Sequence, residues 1–302
     1  MEKQPKVAII ISTYNQEKIL EKCLRSVYEK TDYKNYKIYF IDDSGKGNVG
    51  DKIRKRFNKI NILTNKKNLG FSKSYNLGIK EALKRDNPDY FLLLNDDTKI
   101  VDRNWLKKMV EVGESDKKIG ILGCQIIYPD GSLQWVVKKS KIKHFKQKGN
   151  FEKDNEIEKN WQVSDIIGCC FLIKKEVITK IGLLDEKFSP AYGEETDFCF
   201  RAKKLGYKFI YVGNTKIIHY GGTSTNKIES DFIWYIKKRN AIRLEWLNYN
   251  FLNIIKYSFI HFISLFKKNG LSFKKKYYLL IKAYKENIKN LKEIKIKRKE
   301  RQ

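Results

Sequence analysis

The sequence predicts an α/β fold built on a central, mostly parallel sheet with helices on both faces. Strand-like and helix-like stretches alternate through most of the chain, which is typical of repeated βα units. The strand candidates are continuous apolar runs, as expected for strands that are covered on both faces. With 302 residues, 41% of them hydrophobic, the chain can bury a sizeable core.

The first part of the chain alternates regularly between the two kinds of element. KVAIIIS at 6–12 is the first predicted strand, and the apolar spacing after it predicts a helix with Asn15 as its N-cap. The next strand and helix pairs are YKIYFIDDSG with GDKIRKRF and INILTN with SKSYNLGIKEALKR. After Pro88, the pattern predicts in turn a strand, a helix and a strand, in DYFLLLNDDT, RNWLKKMVEVGE and IGILGCQII.

The remainder of the chain divides into a hairpin, another strand and helix pair, and a helical end. PDG predicts a turn within 128–162, where a hairpin precedes a charged loop. GCCFLIKKEVITKIG predicts a strand and then a helix closed by Gly182. From about Phe232 onward the pattern is helical, basic and aromatic, and the lysine-rich end, KEIKIKRKERQ, is typical of a solvated or frayed tail. We therefore expect an α/β domain at 1–225 and a C-terminal helical extension at 226–302.

The chain is strongly basic, with a net charge of +28 at pH 7. Half of that charge lies in 226–302, which holds 20 Lys and Arg and 6 Asp and Glu. Such a balance predicts attraction to nucleic acid, to an anionic membrane surface or to phosphate-bearing substrates. The apolar stretch at 251–266 is shorter than the roughly 20 residues of a spanning helix, so it suits either a packed helix or an in-plane helix at a bilayer surface.

The five cysteines and the N-terminus predict a cytoplasmic protein. The cysteines show no CxxC spacing and no paired framework, and MEKQPKVAII does not have the form of a secretory leader. We therefore expect reduced thiols and no zinc site built from cysteines.

Acidic residues follow two of the predicted strands. Asp42 and Asp43 end one strand and Asp96 and Asp97 end another, and ligands of open α/β sheets bind at this edge. A turn for the first pair and a helix N-cap for the second are the plain structural alternatives. Adjacent carboxylates repel each other, however, and a hard cation such as Mg²⁺ or Mn²⁺ would relieve that repulsion.

A second acidic cluster and one histidine are further candidates for a site. Glu194, Glu195 and Asp197 begin a predicted helix, where they either favour the helix dipole or provide a general base. His219 follows a short β-branched strand and precedes GGTST, a loop whose amides could hold phosphate. This position makes His219 a candidate metal ligand.

Together, these residues resemble a family 2 glycosyltransferase of the GT-A fold, close to the bacterial rhamnosyltransferase-like branch. Seven motifs within about 5–225 occur in the family's order: ISTYN, IDDSG, NLGFSKSYNLGI, LLLNDDT, GCCFLIKKEVITKIGLLDEKF, YGEETDFCFRAKKLGY and IHYGGTS. Each motif is weak alone, whereas seven in order are specific. The sequence departs from the family in reading NDD where a DxD element is usual, and Glu where the base is usually Asp.

The resemblance implies a role for each matching position. The donor nucleotide would be bound by Ser12, Tyr14, Asn15, Asp43, Asn68, Gly70, Phe71 and Asp96. Asp97 and His219 would bind the divalent metal, and Gly221, Gly222 and Ser224 would lie on the diphosphate. Glu195 is the expected base, and Glu194 and Asp197 remain alternatives to it.

The resemblance also implies a reaction and its partners. We expect a metal-dependent, inverting transfer of a sugar from a UDP- or dTDP-linked donor to a glycan or lipid-linked acceptor, in bacterial cell-surface polysaccharide synthesis. Contact with an anionic membrane at its inner face is expected, and nucleic acid is not. The rival interpretations are a basic nucleic-acid- or membrane-binding protein with a non-catalytic domain of this fold, and a sugar-binding module that has lost its chemistry.

Overall fold

A computed structural model describes residues 4–57, 59–138, 141–143, 158–221, 230–267 and 270–301. The strands within these ranges are β1 (Val7–Thr13), β2 (Tyr36–Asp42), β3 (Ile60–Thr64), β4 (Tyr90–Asn95), β5 (Thr98–Ile100), β6 (Ile119–Ile127), β7 (Leu133–Lys138), β8 (Lys141–Lys143), β9 (Trp161–Val163), β10 (Cys170–Lys174) and β11 (Lys208–His219). The helices are α1 (Glu17–Lys30), α2 (Asn48–Arg56), α3 (Phe71–Asp86), α4 (Trp105–Glu114), α5 (Lys175–Ile181), α6 (Glu194–Lys204), α7 (Asp231–Asn248), α8 (Phe251–Ile263), α9 (Phe273–Lys289) and α10 (Leu291–Glu300).

The strands form one sheet whose central order is β3-β2-β1-β4-β10-β6-β11-β5. The strands β3, β2, β1 and β4 are mutually parallel, and β6 is parallel to β11. β10 runs antiparallel to both of its neighbours, and the short β5 runs antiparallel to β11. The predicted α/β sheet is therefore confirmed as a mixed sheet, in which β10 is a reversed strand between two parallel parts.

Both faces of the sheet are buried, which explains why its strands are continuously apolar. Along β1, Val7, Ile9 and Ile11 join the hydrophobic core on one face, whereas Ala8 and Ile10 join the core on the other. The first core contains the buried side of α1, and the second contains that of α3. Since alternate residues of a strand point to opposite faces, a strand covered twice needs an apolar residue at every position.

Two capping predictions are wrong. Asn15 does not cap α1, because its φ is 58° and Gln16 occupies the N-cap position. Asp96 and Asp97 do not cap the helix that follows them, because β5 intervenes and Asn104 is the N-cap residue of α4. The acids after β4 are therefore not explained by helix capping.

The C-terminal extension is helical, as predicted, and it packs against the α/β part. Buried Phe188 joins Leu247 of α7 and Ile294 of α10 in one apolar cluster. The expectation that the last residues form a solvated tail is wrong, since α10 is a helix that docks through Ile294. The domain boundary near residue 226 lies outside the described residues and stays a prediction.

Within the residues that the structure describes, no helix is both long enough and apolar enough to cross a bilayer.

Candidate active site

The parallel strands β1 and β4 end side by side and bring their polar ends together. Ser12 lies opposite Asn95 in the register, so Thr13 reaches Asp96, and its hydroxyl donates a hydrogen bond to the Asp96 carboxylate. Burial raises the pKa of Asp96 to about 6, and repulsion from Asp97 adds to the rise although the Thr13 bond opposes it. A carboxylate in this setting gains from a nearby cation.

The pairing of β5 with β11 brings His219 to Asp97. Thr98 lies opposite His219 in this ribbon, and the Tyr220 amide donates a hydrogen bond to the Asp97 carbonyl oxygen. The His219 Nε2 atom lies 3.1 Å from Asp97 Oδ1. Two residues that are 122 positions apart in sequence therefore meet at the crevice beyond β4, as the predicted metal site requires.

Gln134 orients the His219 ring, and sequence reasoning missed it. Gln134 Oε1 lies 2.6 Å from His219 Nδ1, and an amide oxygen can only accept, so Nδ1–H is the donor. In the neutral imidazole, the lone pair then lies on Nε2 and faces the Asp97 carboxylate. Two electron-rich atoms 3.1 Å apart require a proton or a cation between them, so the pair fits a divalent metal.

The protein supplies few metal ligands at this place. Among the described ranges, no group of three or more His, Cys, Asp or Glu side chains is arranged to hold a metal ion. Asp97 and His219 would therefore hold a metal only together with oxygen atoms from a ligand or from water.

Asp43 fastens the loop that joins β3 to α3. Its carboxylate accepts hydrogen bonds from the Leu69 and Gly70 amides and from the Asn65 side chain, at 2.7 to 3.0 Å. Gly70 has a φ of 77°, and a Cβ placed there would lie 2.8 Å from the Pro190 backbone. The loop can adopt this path only with glycine at position 70.

The other residues predicted to bind nucleotide lie at or just after the end of β1 and at the beginning of α3. The Phe71 ring lies 4.2 Å from the Tyr75 ring, and Asn68 Oδ1 accepts a hydrogen bond from the Gly70 amide. Tyr14 is exposed beyond β1, where Ser12 and Asn15 lie beside it in sequence. Their predicted contacts with nucleotide stay predictions.

The predicted phosphate loop is largely undescribed. Gly221 has a φ of 48° and lies directly after the His219 ribbon. The predicted positions Gly222 and Ser224 lie outside the described residues.

Glu194 and Glu195 begin α6 after Gly193, whose φ is 96°. Burial, and then repulsion from Glu195, raise the pKa of Glu194 well above its ordinary value. In the part of the chain that the structure describes, nothing forms a hydrogen bond with Glu194 Oε2. Burial likewise raises the pKa of Glu195 to about 7, which suits a general base at neutral pH.

Gly168 brings Glu195 to the edge of the sheet where the aspartates lie. A Cβ built at Gly168 would lie 1.6 Å from Glu195 Oε1, so the carboxylate rests directly on the glycine. The next residue, Cys169, accepts a hydrogen bond from the Asn95 amide through its carbonyl oxygen. Glu195 therefore faces the same crevice as Asp96 and Asp97.

Asp197 has a different environment from the two glutamates. Its carboxylate is fully buried and accepts hydrogen bonds from Arg201, Arg301 and Asn248. The Arg201 and Arg301 guanidinium groups together occupy both of its oxygen atoms, so this carboxylate is part of a structural ion-pair network. Glu195 is thus the better placed of the predicted bases.

Asn240 of α7 holds the loop that leads into the glutamate pair, and no motif in the sequence signals it. Its side-chain amide nitrogen lies 2.7 to 2.8 Å from the carbonyl oxygens of Phe188, Ala191 and Tyr192. The neighbouring Arg239 also donates a hydrogen bond to the Ser189 carbonyl oxygen. The C-terminal extension therefore supports the site directly.

Comparison with curated proteins finds sugar-transferring enzymes. The low-salt glycan biosynthesis hexosyltransferase Agl10 of Haloferax volcanii is 27% identical over 57% of this chain and 56% of that protein. The GalNAc(5)-diNAcBac-PP-undecaprenol beta-1,3-glucosyltransferase of Campylobacter jejuni is 24% identical over 63% of this chain and 57% of that protein. Across four curated relatives, the chain spans between 25% and 57% of their length.

Comparison with solved structures confirms the predicted GT-A fold. GalNAc-T7, solved with UDP, GalNAc and Mn²⁺, has a TM-score of 0.61 at 18% identity, covering 82% of this chain and 48% of that one. The mannosyltransferase PcManGT of Pyrobaculum calidifontis, solved with GDP-Man and Mn²⁺, has a TM-score of 0.59 at 13% identity, covering 94% of this chain and 76% of that one. At these identities the likeness concerns the fold.

The family comparison is decisive. The model of glycosyl transferase family 2 matches residues 8–182, which is more than half of the chain. The match contains Asp43, Asp96 and Asp97 and ends before Glu195 and His219. The chain belongs to glycosyl transferase family 2.

Proposed function

We propose that this protein transfers a sugar from a nucleoside-diphosphate donor to an acceptor hydroxyl, with inversion at the anomeric carbon. The observation that carries the proposal is the contact of His219 with Asp97 at the crevice beyond β4, with Glu195 packed on Gly168 next to the hydrogen bond between Cys169 and Asn95. This crevice is where open α/β sheets bind their ligands. Membership of family 2 and the names of the two curated relatives support the same reaction class.

Glu195 removes the proton from the acceptor in this proposal. A carboxyl with a pKa of about 7 is ionised in a useful fraction at neutral pH and still basic enough to accept a proton. Gly168 leaves room for the carboxylate and fixes its position against the sheet. Burial and repulsion from Glu195 raise the pKa of Glu194 well above its ordinary value, and Glu194 is more deeply buried than Glu195, so it is the less suitable base.

Asp97 and His219 would hold the divalent metal, with Gln134 fixing the imidazole tautomer. A divalent ion supplies neutralisation of the charge that develops on the departing diphosphate. Asp96 would bind on the ribose side, and its bond from Thr13 holds the carboxylate in place. Mg²⁺ and Mn²⁺ both fit this oxygen-rich donor set, and two structures of the same fold were solved with Mn²⁺.

The proposal extends to the donor and the acceptor. UDP- and dTDP-linked sugars are the proposed donors, with rhamnose among the candidate sugars. A glycan or lipid-linked hydroxyl at the inner face of the membrane is the proposed acceptor, in cell-surface polysaccharide synthesis. Support comes from the Campylobacter relative, whose name contains an undecaprenol-linked glycan.

Thermal-shift screening of UDP- and dTDP-sugars, with and without Mn²⁺ or Mg²⁺, tests the proposal. We expect at least one donor to raise Tm, and the rise to be larger with metal, because ligands that bind the folded state stabilise it. The Asp97→Asn variant should lose the metal-dependent part of the rise. If no nucleotide-sugar shifts Tm while RNA binds in a salt-sensitive manner, the protein is a nucleic-acid binder and the proposal is wrong.

A further inference from the structure

Helix α8 turns its apolar side outward. Seven large apolar side chains of α8 and of the short helix that follows it (Ser264–Phe266) are between 44% and 75% exposed: Phe251, Leu252, Ile255, Phe259, Phe262, Ile263 and Phe266. A helix that packs on a soluble domain normally turns such a stripe toward the core. Contiguous apolar patches of this size on a protein surface mark an interaction site.

The inner side of α8 carries the polar anchor instead. His261 is buried, and its Nε2 atom lies 3.0 Å from the Glu245 carboxylate of α7. Tyr257 stacks on Tyr249 with ring centroids 5.0 Å apart, and Leu265 is buried beside α7 and α9. These contacts fix the orientation of α8, so its outward apolar side is a stable feature of the fold.

The beginning of α9 continues the same surface. Aromatic ring contacts run from Phe262 to Phe266, from Phe266 to Phe273 and from Phe273 to Tyr277, with centroids 5.2 to 6.4 Å apart. Tyr277 and Tyr278 are both more than half exposed. Phenol side chains with one apolar and one polar end suit the boundary between water and lipid. We call this two-helix patch, made of the outward residues of 251–266 and 273–278, the aromatic surface.

The charge around the aromatic surface has one sign. Residues 246–285 contain eight lysines and no Asp or Glu. Lys256, Lys267 and Lys274 lie within or beside the patch and are exposed. Lysines near an anionic bilayer are attracted to its headgroups, and their long stems let the ammonium groups remain among the headgroups.

We propose that the aromatic surface docks the protein onto an anionic lipid bilayer, with the rings in the interface and the lysines on the headgroups. A second copy of this chain is the less favourable occupant, because pairing two identical surfaces would bring their lysines together. Bilayer docking goes beyond the proposed transfer reaction. It is measured without donor or acceptor, so it can fail while the proposed reaction stands.

Flotation of the full-length protein with vesicles tests the proposal. We expect recovery with vesicles of phosphatidylcholine and phosphatidylglycerol, weaker recovery with phosphatidylcholine alone, and weakening of the anionic binding by salt. The triple variant Phe259→Ser, Phe262→Ser, Phe266→Ser should partition at least about tenfold less. The variant Lys256→Glu, Lys267→Glu, Lys274→Glu should lose the preference for anionic vesicles.

The control removes exposed apolar side chains elsewhere. Leu205→Ser with Ile296→Ser changes two side chains that are at least half exposed and lie outside the aromatic surface, and it should float as the wild type does. Circular dichroism checks that each variant is folded. If the serine variant unfolds, the comparison of the lysine variant with the wild type tests the proposal instead. Wild-type protein that ignores both vesicle types, or folded variants that all float equally, would overturn the proposal. So would a wild-type dimer that the serine variant converts to a monomer without any vesicle binding.

Discussion

Glu194 and Glu195 are adjacent buried carboxyls whose positions separate their roles. Glu194 is almost fully buried, whereas Glu195 is partly exposed and rests on Gly168 at the crevice. Burial raises both pKa values, that of Glu195 to about 7. The carboxyl that lies at the crevice can therefore exchange a proton near neutral pH, whereas burial makes its neighbour favour the protonated form.

The rate of transfer should depend on the ionisation of Glu195. Because the base acts only when ionised, kcat/KM should rise with pH up to about 7 and level off above it. Glu195→Gln should lower kcat by about 10²- to 10⁴-fold and abolish this limb. The Glu194→Gln control should keep the limb, at a pH no higher than in the wild type. A pH–rate profile of the wild type and of both variants, with donor binding measured in parallel, tests this prediction.

Glu195→Gln should raise the stability of the folded protein above neutral pH, although it lowers activity. A carboxyl whose folded pKa is raised binds more protons in the folded state, so its contribution to stability falls as pH rises from about 4.5 to 7. Glu195→Gln removes that cost, and at pH 8 its free energy of unfolding should exceed that of the wild type by on the order of 1 kcal/mol. Lost activity together with lower stability would instead indicate a structural role for Glu195.

Gly168 should be intolerant of any side chain. In Gly168→Ala the new Cβ would overlap the Glu195 carboxylate, so the base must move and kcat should fall at least about tenfold. Gly131→Ala is the matched control, because its turn is open and the change strains only the local backbone. Equal activity of the two folded variants would show that Glu195 does not need its position on Gly168.

The sequence indicates the chemically active residues better than it indicates the residues that position them. Asp97, His219 and Glu195 stand out because they are polar groups at the ends of apolar strands or in an acidic cluster. Gln134 and Gly168 act through contacts with residues distant in sequence, and nothing in their neighbours signals those contacts. Spatial partners of this kind follow from the fold rather than from local spacing.

The loop at 188–192 links the elements around the crevice. Its Pro190 carbonyl oxygen accepts a hydrogen bond from the Phe71 amide, and the Ser189 hydroxyl donates to the Leu69 carbonyl oxygen. On its other side, Asn240 of α7 donates to three of its carbonyl groups. The loop thus connects the expected nucleotide-binding loop, the helix that carries Glu195 and the C-terminal extension.

Asn240 should be a positioning residue for the reaction. Asn240→Ala removes the side-chain donor that the Phe188, Ala191 and Tyr192 carbonyl groups share, so the loop should loosen and kcat should fall about tenfold or more. Asn287→Ala is a matched control, since Asn287 is also buried but donates to the Arg239 and Ala283 carbonyl groups within the helical unit. Steady-state kinetics and thermal unfolding of both variants make the comparison. Equal losses of activity and of stability in the two variants would contradict a positioning role for Asn240.

Regular elements were predictable where the apolar period was strong. The strands β1, β2 and β4 and the helix α3 begin and end within three residues of their predicted positions, because burial on two faces or on one stripe dictates their pattern. The prediction for the last residues was wrong because KEIKIKRKERQ has the composition of a solvated tail. α10 and the residue after it are held instead by ion pairs with charged residues at least 50 positions away in sequence, Arg243, Asp185 and Asp197, which composition does not reveal.

Ion pairs join the C-terminal helices to the α/β part of the molecule. Burial alone would raise the pKa of Asp185, but Arg243 and Lys297 hold it well below its ordinary range. Arg243 also pairs with Glu293 of α10, and Arg301 reaches Asp197. The extension is therefore attached by a shared, largely buried charge network.

Removal of this network should destabilise the whole molecule. The variant Glu293→Ala, Lys297→Ala, Arg301→Ala leaves buried acids with fewer partners and should lose a few kcal/mol of unfolding free energy at pH 7. The control Lys292→Ala, Lys295→Ala, Lys299→Ala changes three exposed lysines of α10 and should stay within about 0.5 kcal/mol of wild type. Denaturant unfolding of both variants makes the comparison.

The difference in unfolding free energy between the wild type and the Glu293, Lys297 and Arg301 variant should depend on pH in a defined direction. Asp185 has a depressed folded pKa, so its contribution is complete above the unfolded value of 3.8 and is lost as pH falls below it. The gap between wild type and the network variant should therefore close in acid. A gap that persists unchanged at low pH would point to packing rather than charge.

For the molecule as a whole, the order of motifs predicted the fold and the family, and charge density predicted the basic extension. The outward side of α8 was open to two interpretations from sequence, because periodicity shows that a helix is amphipathic without showing which way it faces. The buried His261 on the inner side decides that orientation.

The most direct test is the release of nucleoside diphosphate from UDP- and dTDP-sugars, measured with and without Mn²⁺ on wild-type, Asp97→Asn and Glu195→Gln proteins. Wild-type protein should release the diphosphate from at least one donor in a metal-dependent manner. Asp97→Asn should lose the metal dependence, and Glu195→Gln should bind the donor and metal but turn over slowly. Release from no donor, or equal release by all three proteins, would contradict the assignment of this crevice as a glycosyl-transfer site.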